Sequence, residues 1–216
     1  MSARNRARLI VFVKAPVMGA VKTRLAKGLG LVAATAWYRR SVIRTLTMLR
    51  TARLDALVAA APSAFALHHA SAVRGRIVSQ AHGDLGRRMA AAARARGPSV
   101  IVGADIPGLS PAILCAALKA VQRFDLVLGP ARDGGYYLVG VRSPAHVFRL
   151  YGGVRWSSPH ALADTLANAP AHWRIAFLPM LSDVDVAEDL KESPQSSSRR
   201  RCSSSRGMIS TKLQGR

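Results

Sequence analysis

Short apolar runs alternate along this chain with longer stretches of helical spacing. Residues 8–14, 54–60, 74–80, 99–103, 126–129, 136–141 and 173–178 read as strands. Between them, residues 33–51, 85–96, 111–123 and 159–169 carry apolar positions at helical intervals. Ser110-Pro111 and Ser158-Pro159 each offer a serine cap followed by a proline at the first helical turn. Strands alternating with helices of this length predict an α/β fold, a mostly parallel sheet covered on both faces. Only the tight Asp133-Gly134-Gly135 turn precedes the strand at 136–141, too little chain for a helical crossover. One antiparallel or mixed pairing is therefore expected there.

The pattern stops near Leu190. Residues 191–216 contain eight serines and no apolar period, so we expect a domain at 1–190 followed by a disordered basic Ser/Arg-rich tail. That tail has seven Lys/Arg against one acid and supplies +6 of the net +21. The remaining arginines are scattered, with no interleaving of basic and aromatic residues such as a single-strand binder needs. Nucleic acid is thus not the expected partner, and an anionic small substrate accounts for the charge as well. Cys115 and Cys202 are too few for a disulfide framework and suggest inert thiols in a reducing compartment. The apolar run 9–13 is too short for a signal core, and no stretch reaches the roughly 18 residues of a membrane span. A soluble, cytoplasmic protein is expected.

In open α/β sheets, ligands bind beyond the carboxyl ends of the strands, so residues just after strands carry the information. The first strand runs into Lys14-Ala15-Pro16-Val17-Met18-Gly19-Ala20-Val21-Lys22-Thr23-Arg24. Gly19 allows close backbone approach, Lys22 and Arg24 add positive charge, and a helix from about Thr23 would add amides. All three suit a phosphate, although Gly19 also fits an ordinary turn. Neither the nucleoside-triphosphatase loop nor the dinucleotide fingerprint is present. Asp105 follows the fourth strand and is a candidate Mg²⁺ or Mn²⁺ ligand. Its alternative role as a turn cap is weakened because Ser110 can cap the next helix. Asp183 and Asp185 alternate in an extended segment and could ligate the same metal, or Asp185 could form a capping box with Glu188.

Five blocks occur in order: Phe12 to Leu25, Gly83-Asp84-Leu85-Gly86-Arg87-Arg88-Met89, Gly103-Ala104-Asp105-Ile106-Pro107, Gly129 to Gly140 with Asp133-Gly134-Gly135 inside it, and Asp183-Val184-Asp185. Over about residues 8–190 the chain resembles a bacterial family of GT-A-like proteins, usually described only as glycosyltransferases or as a domain of unknown function. That family is similar to nucleotidylyltransferases such as phospholactate guanylyltransferase. The resemblance implies a Rossmann-like, three-layer α/β/α nucleotide-diphospho-sugar transferase fold. It also implies phosphate contacts from Lys14, Gly19, Lys22, Thr23 and Arg24, substrate contacts at Gly134 and Gly135, and a metal at Asp105. The spaced Asp-x-Asp of GT-A enzymes is reduced here to Asp105, so the metal would draw on Asp183 or Asp185. The expected activity is metal-dependent glycosyl transfer from a nucleotide-diphosphate sugar to a small acceptor. Asp133 would serve as base or hydroxyl acceptor, and Lys22 would stabilise the leaving group. Nucleotidylyl transfer from a nucleoside triphosphate is the nearest alternative, and a non-catalytic nucleotide- or nucleic-acid-binding module is the alternative of another class.

Overall fold

The computed structural model describes residues 6–62, 76–94, 97–143, 147–181 and 210–212. Eight strands form one sheet: β1 Arg8–Lys14, β2 Ala56–Ala61, β3 Ile77–Ser79, β4 Ser99–Gly103, β5 Leu126–Pro130, β6 Tyr136–Val141, β7 Ile175–Phe177 and β8 Ser210–Lys212. Their order is β3-β2-β1-β4-β6-β5-β7-β8. The pairs β1–β2, β1–β4, β2–β3 and β5–β7 are parallel. β6 runs antiparallel to both β4 and β5, as the short Asp-Gly-Gly turn requires.

The apolar period decides which layer each residue joins. Along β1, Leu9, Val11 and Val13 enter one core, and Ile10 with Phe12 enters the other. The first core is closed by α2 (Leu31–Thr51), whose Tyr38, Val42, Leu46 and Leu49 are buried at helical intervals, and by α4 (Pro111–Ala120). The second is closed by α3 (Leu85–Ala93), α5 (Val147–Leu150) and α6 (Ala161–Ala167). A short α1 (Thr23–Leu29) precedes α2, separated from it by Gly30 at φ +80°. Ser110 accepts from the Ile113 N–H and Pro111 sits in the first turn, so α4 starts where the sequence indicates.

Three expectations are corrected. Ser158 does not cap the last helix: α6 starts at Ala161 after His160, while Ser158 Oγ donates to the Arg155 carbonyl and accepts from the His160 N–H. A serine hydroxyl serves a turn as readily as a helix end. Within the tail, Ser210–Lys212 pair antiparallel with β7. A ladder is built from backbone groups, so the free edge of β7 can recruit a segment with no apolar side chains to bury. Residues 191–209 and 213–216 lie outside the described residues. Finally, Cys115 on α4 is disulfide-bonded rather than a free thiol. No helix among the described residues is long and apolar enough to cross a membrane.

Candidate functional site

β1 carries Lys14 to the carboxyl edge of the sheet, and the chain turns through Gly19 (φ +77°) towards α1. Lys22 takes a left-handed conformation (φ 48°) at the start of α1. For a side chain with a Cβ this conformation costs roughly 1–2 kcal/mol, so the surrounding contacts must impose it. Those contacts are visible. Lys22 Nζ lies 2.9 Å from Asp105 Oδ2 and 5.5 Å from the centre of the Trp37 ring. The two paired side chains are only 10% and 23% exposed.

Asp105 is fixed from two directions. The Ala104 N–H donates to the Phe12 carbonyl at 3.2 Å, and Thr45 on α2 donates to the Ala104 carbonyl at 2.8 Å. Ser110 caps α4, which leaves Asp105 to the cleft rather than to the helix start. Beneath Lys14, the Tyr38 hydroxyl accepts from its backbone N–H at 2.9 Å and donates to its carbonyl at 3.2 Å. Burial raises the Tyr38 phenol well above its ordinary range, and the nearby Asp105 charge adds to the effect.

The opposite wall comes from the β5–β6 turn. Asp133 accepts from the Gly135 N–H at 2.9 Å, closing the turn, and the Gly134 carbonyl accepts from the Leu162 N–H at 3.0 Å. Gly134 has φ +83°, and a Cβ there would collide with the Pro159 carbonyl. The turn therefore docks tightly on the segment that contains Trp156, Ser157, Ser158 and Pro159.

Between these walls lies a cleft of about 570 Å³, within the ordinary range for small-molecule sites. It is lined by Lys14, Lys22, Thr23, Arg24, Asp105, Asp133 and Gly135, all expected from sequence. Gly19 and Gly134 do not line it; their roles are in the turns. Asp183 and Asp185 lie outside the described residues. The sequence reading did not anticipate Tyr38, Gln80, Arg88, Tyr136 or the Trp156–Pro159 segment, which also line the cleft. Gln80 donates to the Val13 and Ala59 carbonyls and accepts from Arg88 at 2.9 Å, tying α3 to the ends of β1 and β2. Arg88 and Tyr136 carry a sequence signal in the blocks Gly83 to Met89 and Gly129 to Gly140, and Ser158-Pro159 reads in the sequence only as a helix cap. A larger hollow of about 750 Å³ lies against β1–β3 and reaches Arg6 and Leu54 at the amino edge, away from the Asp105 carboxylate.

Among the described residues, no three His, Cys, Asp or Glu side chains cluster as a metal cage. Mg²⁺ is nonetheless commonly held by one or two carboxylates together with substrate phosphates and water. Asp105 fits that mode, since its carboxylate already faces a cation, the Lys22 ammonium.

No curated protein matches the chain. Among solved structures it is similar to a provisionally assigned nucleotide-diphospho-sugar transferase from Desulfovibrio desulfuricans G20, 31% identical over 91% of each chain with a TM-score of 0.80. A 4-diphosphocytidyl-2C-methyl-D-erythritol synthase from Anaerococcus prevotii shares the fold at 9% identity, covering 88% of this chain and 97% of its own, with a TM-score of 0.51. The inositol-1-phosphate CTP transferase from T. maritima does so at 12% identity, covering 88% and 93%, with a TM-score of 0.51. The fold is that of the nucleotide-diphospho-sugar transferases. Residues 44–158 match the family model described as uncharacterized protein conserved in bacteria, and the chain belongs to that family, DUF2064.

Proposed function

We propose that this protein is a metal-dependent transferase that takes a nucleotide-diphosphate sugar and passes the sugar to a small hydroxylated acceptor. The observation that carries the reading is the Lys22–Asp105 pair, which lines one cleft together with Arg24 and Asp133. The 31% identity to the Desulfovibrio protein over nearly the whole chain supports it.

In this reading Lys22 and Arg24 grip the diphosphate by charge-assisted hydrogen bonds, and Asp105 would hold a divalent cation against it. A divalent cation, when bound, neutralises the charge that grows on the leaving group. The acceptor oxygen bonds to the anomeric carbon, and the bond from that carbon to the diphosphate oxygen breaks. The electron pair leaves with the diphosphate, and the acceptor proton passes to Asp133. Nucleotidylyl transfer would use the same loop but release pyrophosphate in place of a nucleoside diphosphate, so product analysis separates the two.

The test is a thermal-shift and titration series with nucleoside diphosphates and bare nucleosides, with and without Mn²⁺. A bound diphosphate at 100 times its dissociation constant should add roughly 2.7 kcal/mol of stability. Lys22→Ala and Arg24→Ala should each weaken diphosphate binding about tenfold while leaving nucleoside binding unchanged. Equal loss of both would sink the phosphate assignment.

A further inference from the structure

The cleft has two chemically different ends. Its described lining cations are Lys14, Lys22, Arg24 and Arg88. Three of these lie between the end of β1 and the first turn of α1: Lys14 closes the strand, Lys22 precedes the helix and Arg24 is in it. The fourth, Arg88, is committed to Gln80 Oε1 at 2.9 Å and to the Asp84 carbonyl at 3.3 Å. The wall formed by Asp133, Gly135, Tyr136 and the Trp156–Pro159 segment carries a carboxylate, hydroxyls and an aromatic ring, but no cation. A phosphorylated acceptor would meet Asp133 there without a counter-charge. An uncharged ring bearing hydroxyls would find a carboxylate to accept from it and an aromatic surface to lie against.

Trp156 is built to be such a surface. Tyr136 and Tyr151 meet it edge-on, at centroid distances of 6.3 and 5.9 Å and angles of 76° and 62°. A third side is closed by α3, where a Cβ on Gly86 would come within 2.9 Å of Trp156 Cζ2. Neighbouring Ser157 is held at φ 58°, a conformation that a serine adopts only when its surroundings over-determine it. The far end of this segment packs on the Asp133 turn, where Gly134 lies against the Pro159 backbone, and the Leu162 N–H of α6 donates to the Gly134 carbonyl. The turn that carries the carboxylate and the segment that carries the indole are thus docked on each other, and both side chains line the same cleft.

We infer that Trp156, with Asp133, forms a subsite for an uncharged polyhydroxylated ring, the group transferred from the nucleotide. The inference rests on the transferase reading and names its substrate class. It excludes a phosphate-bearing acceptor from this wall.

The experiment is saturation-transfer NMR on the full chain with methyl glycosides of glucose, mannose and N-acetylglucosamine, and separately with glycerol 3-phosphate. At least one glycoside should receive saturation from the parent protein, and any glycerol 3-phosphate signal should come from the Lys22 end, falling in Lys22→Ala and persisting in Arg88→Ala. Trp156→Leu keeps apolar bulk but removes the aromatic face, so the glycoside signal should fall by roughly three- to tenfold, whereas Trp156→Phe should retain most of it. Asp133→Asn, on an exposed turn, supplies a second reading should the leucine variant not fold, and should also weaken the signal. Absence of any glycoside signal, equal signals in parent, leucine and asparagine variants, or glycerol 3-phosphate binding that Arg88→Ala removes would each overturn the subsite. Glycosides that bind while nucleoside diphosphates do not would break the transferase reading and leave the sugar subsite standing.

Discussion

The ammonium of Lys22 lies 2.9 Å from the Asp105 carboxylate, so the cation ahead of α1 neutralises the carboxylate that follows β4. In the proposed function Asp105 also holds a divalent cation. Metal and ammonium should compete for Asp105 until a diphosphate arrives to receive Lys22.

From this competition follow opposite effects of one substitution. Lys22→Ala should bind free Mn²⁺ more tightly than the parent, because no ammonium has to be displaced. The same variant should bind a nucleoside diphosphate about tenfold more weakly. Asp105→Asn should lose metal-dependent nucleotide binding while keeping its melting temperature near the parent's. Manganese titration followed by water-proton relaxation, together with nucleotide calorimetry, measures both. A Lys22→Ala variant with unchanged manganese affinity would rule out the competition.

The Thr45 hydroxyl donates to the Ala104 carbonyl at 2.8 Å in a fully buried setting. Thr45→Val keeps the shape but leaves that carbonyl without its partner. It should destabilise the protein by roughly 1–3 kcal/mol. Because Ala104 precedes Asp105, metal affinity should fall as well. Denaturant unfolding measures the first effect and manganese titration the second.

Gly134→Ala places a Cβ against the Pro159 carbonyl at a residue with φ +83°. The Asp133 turn must lift from the Trp156 segment or the chain must unfold. We expect a loss of at least about 2 kcal/mol and a marked loss of any transferase activity. A variant with parental melting would show that the two turns are not locked together.

Tyr38, Tyr136, Tyr137 and Tyr151 are all the tyrosines of the chain, and burial pushes every phenol above its ordinary range. Unfolded tyrosines ionise near pH 10. Above that pH the unfolded chain sheds protons that the folded chain retains, so stability should fall as pH rises. Phenolate absorbance should therefore appear together with cooperative unfolding. A phenolate signal that rises well before the unfolding transition would contradict this burial.

Local pattern determined much of this protein. β1, β4 and β6 occupy the residues that their apolar runs mark, since a strand buried on both faces must be apolar almost throughout. The Ser110-Pro111 cap, the antiparallel insertion of β6 and the positions of Lys22, Asp105 and Asp133 just after strands are likewise legible, because caps, turns and strand ends are set by near neighbours in sequence. Tertiary structure alone decided the rest. β1 pairing with β4 brings the two strand ends together and lets Lys22 reach Asp105, and the left-handed backbone at Lys22 accompanies that contact. Tyr38, Gln80, Arg88 and Trp156 reach one cleft from four different segments. Periodicity reports which face of an element is buried. It carries no information about which element lies opposite, and the chemistry of a wall such as Trp156 with Asp133 depends on that choice.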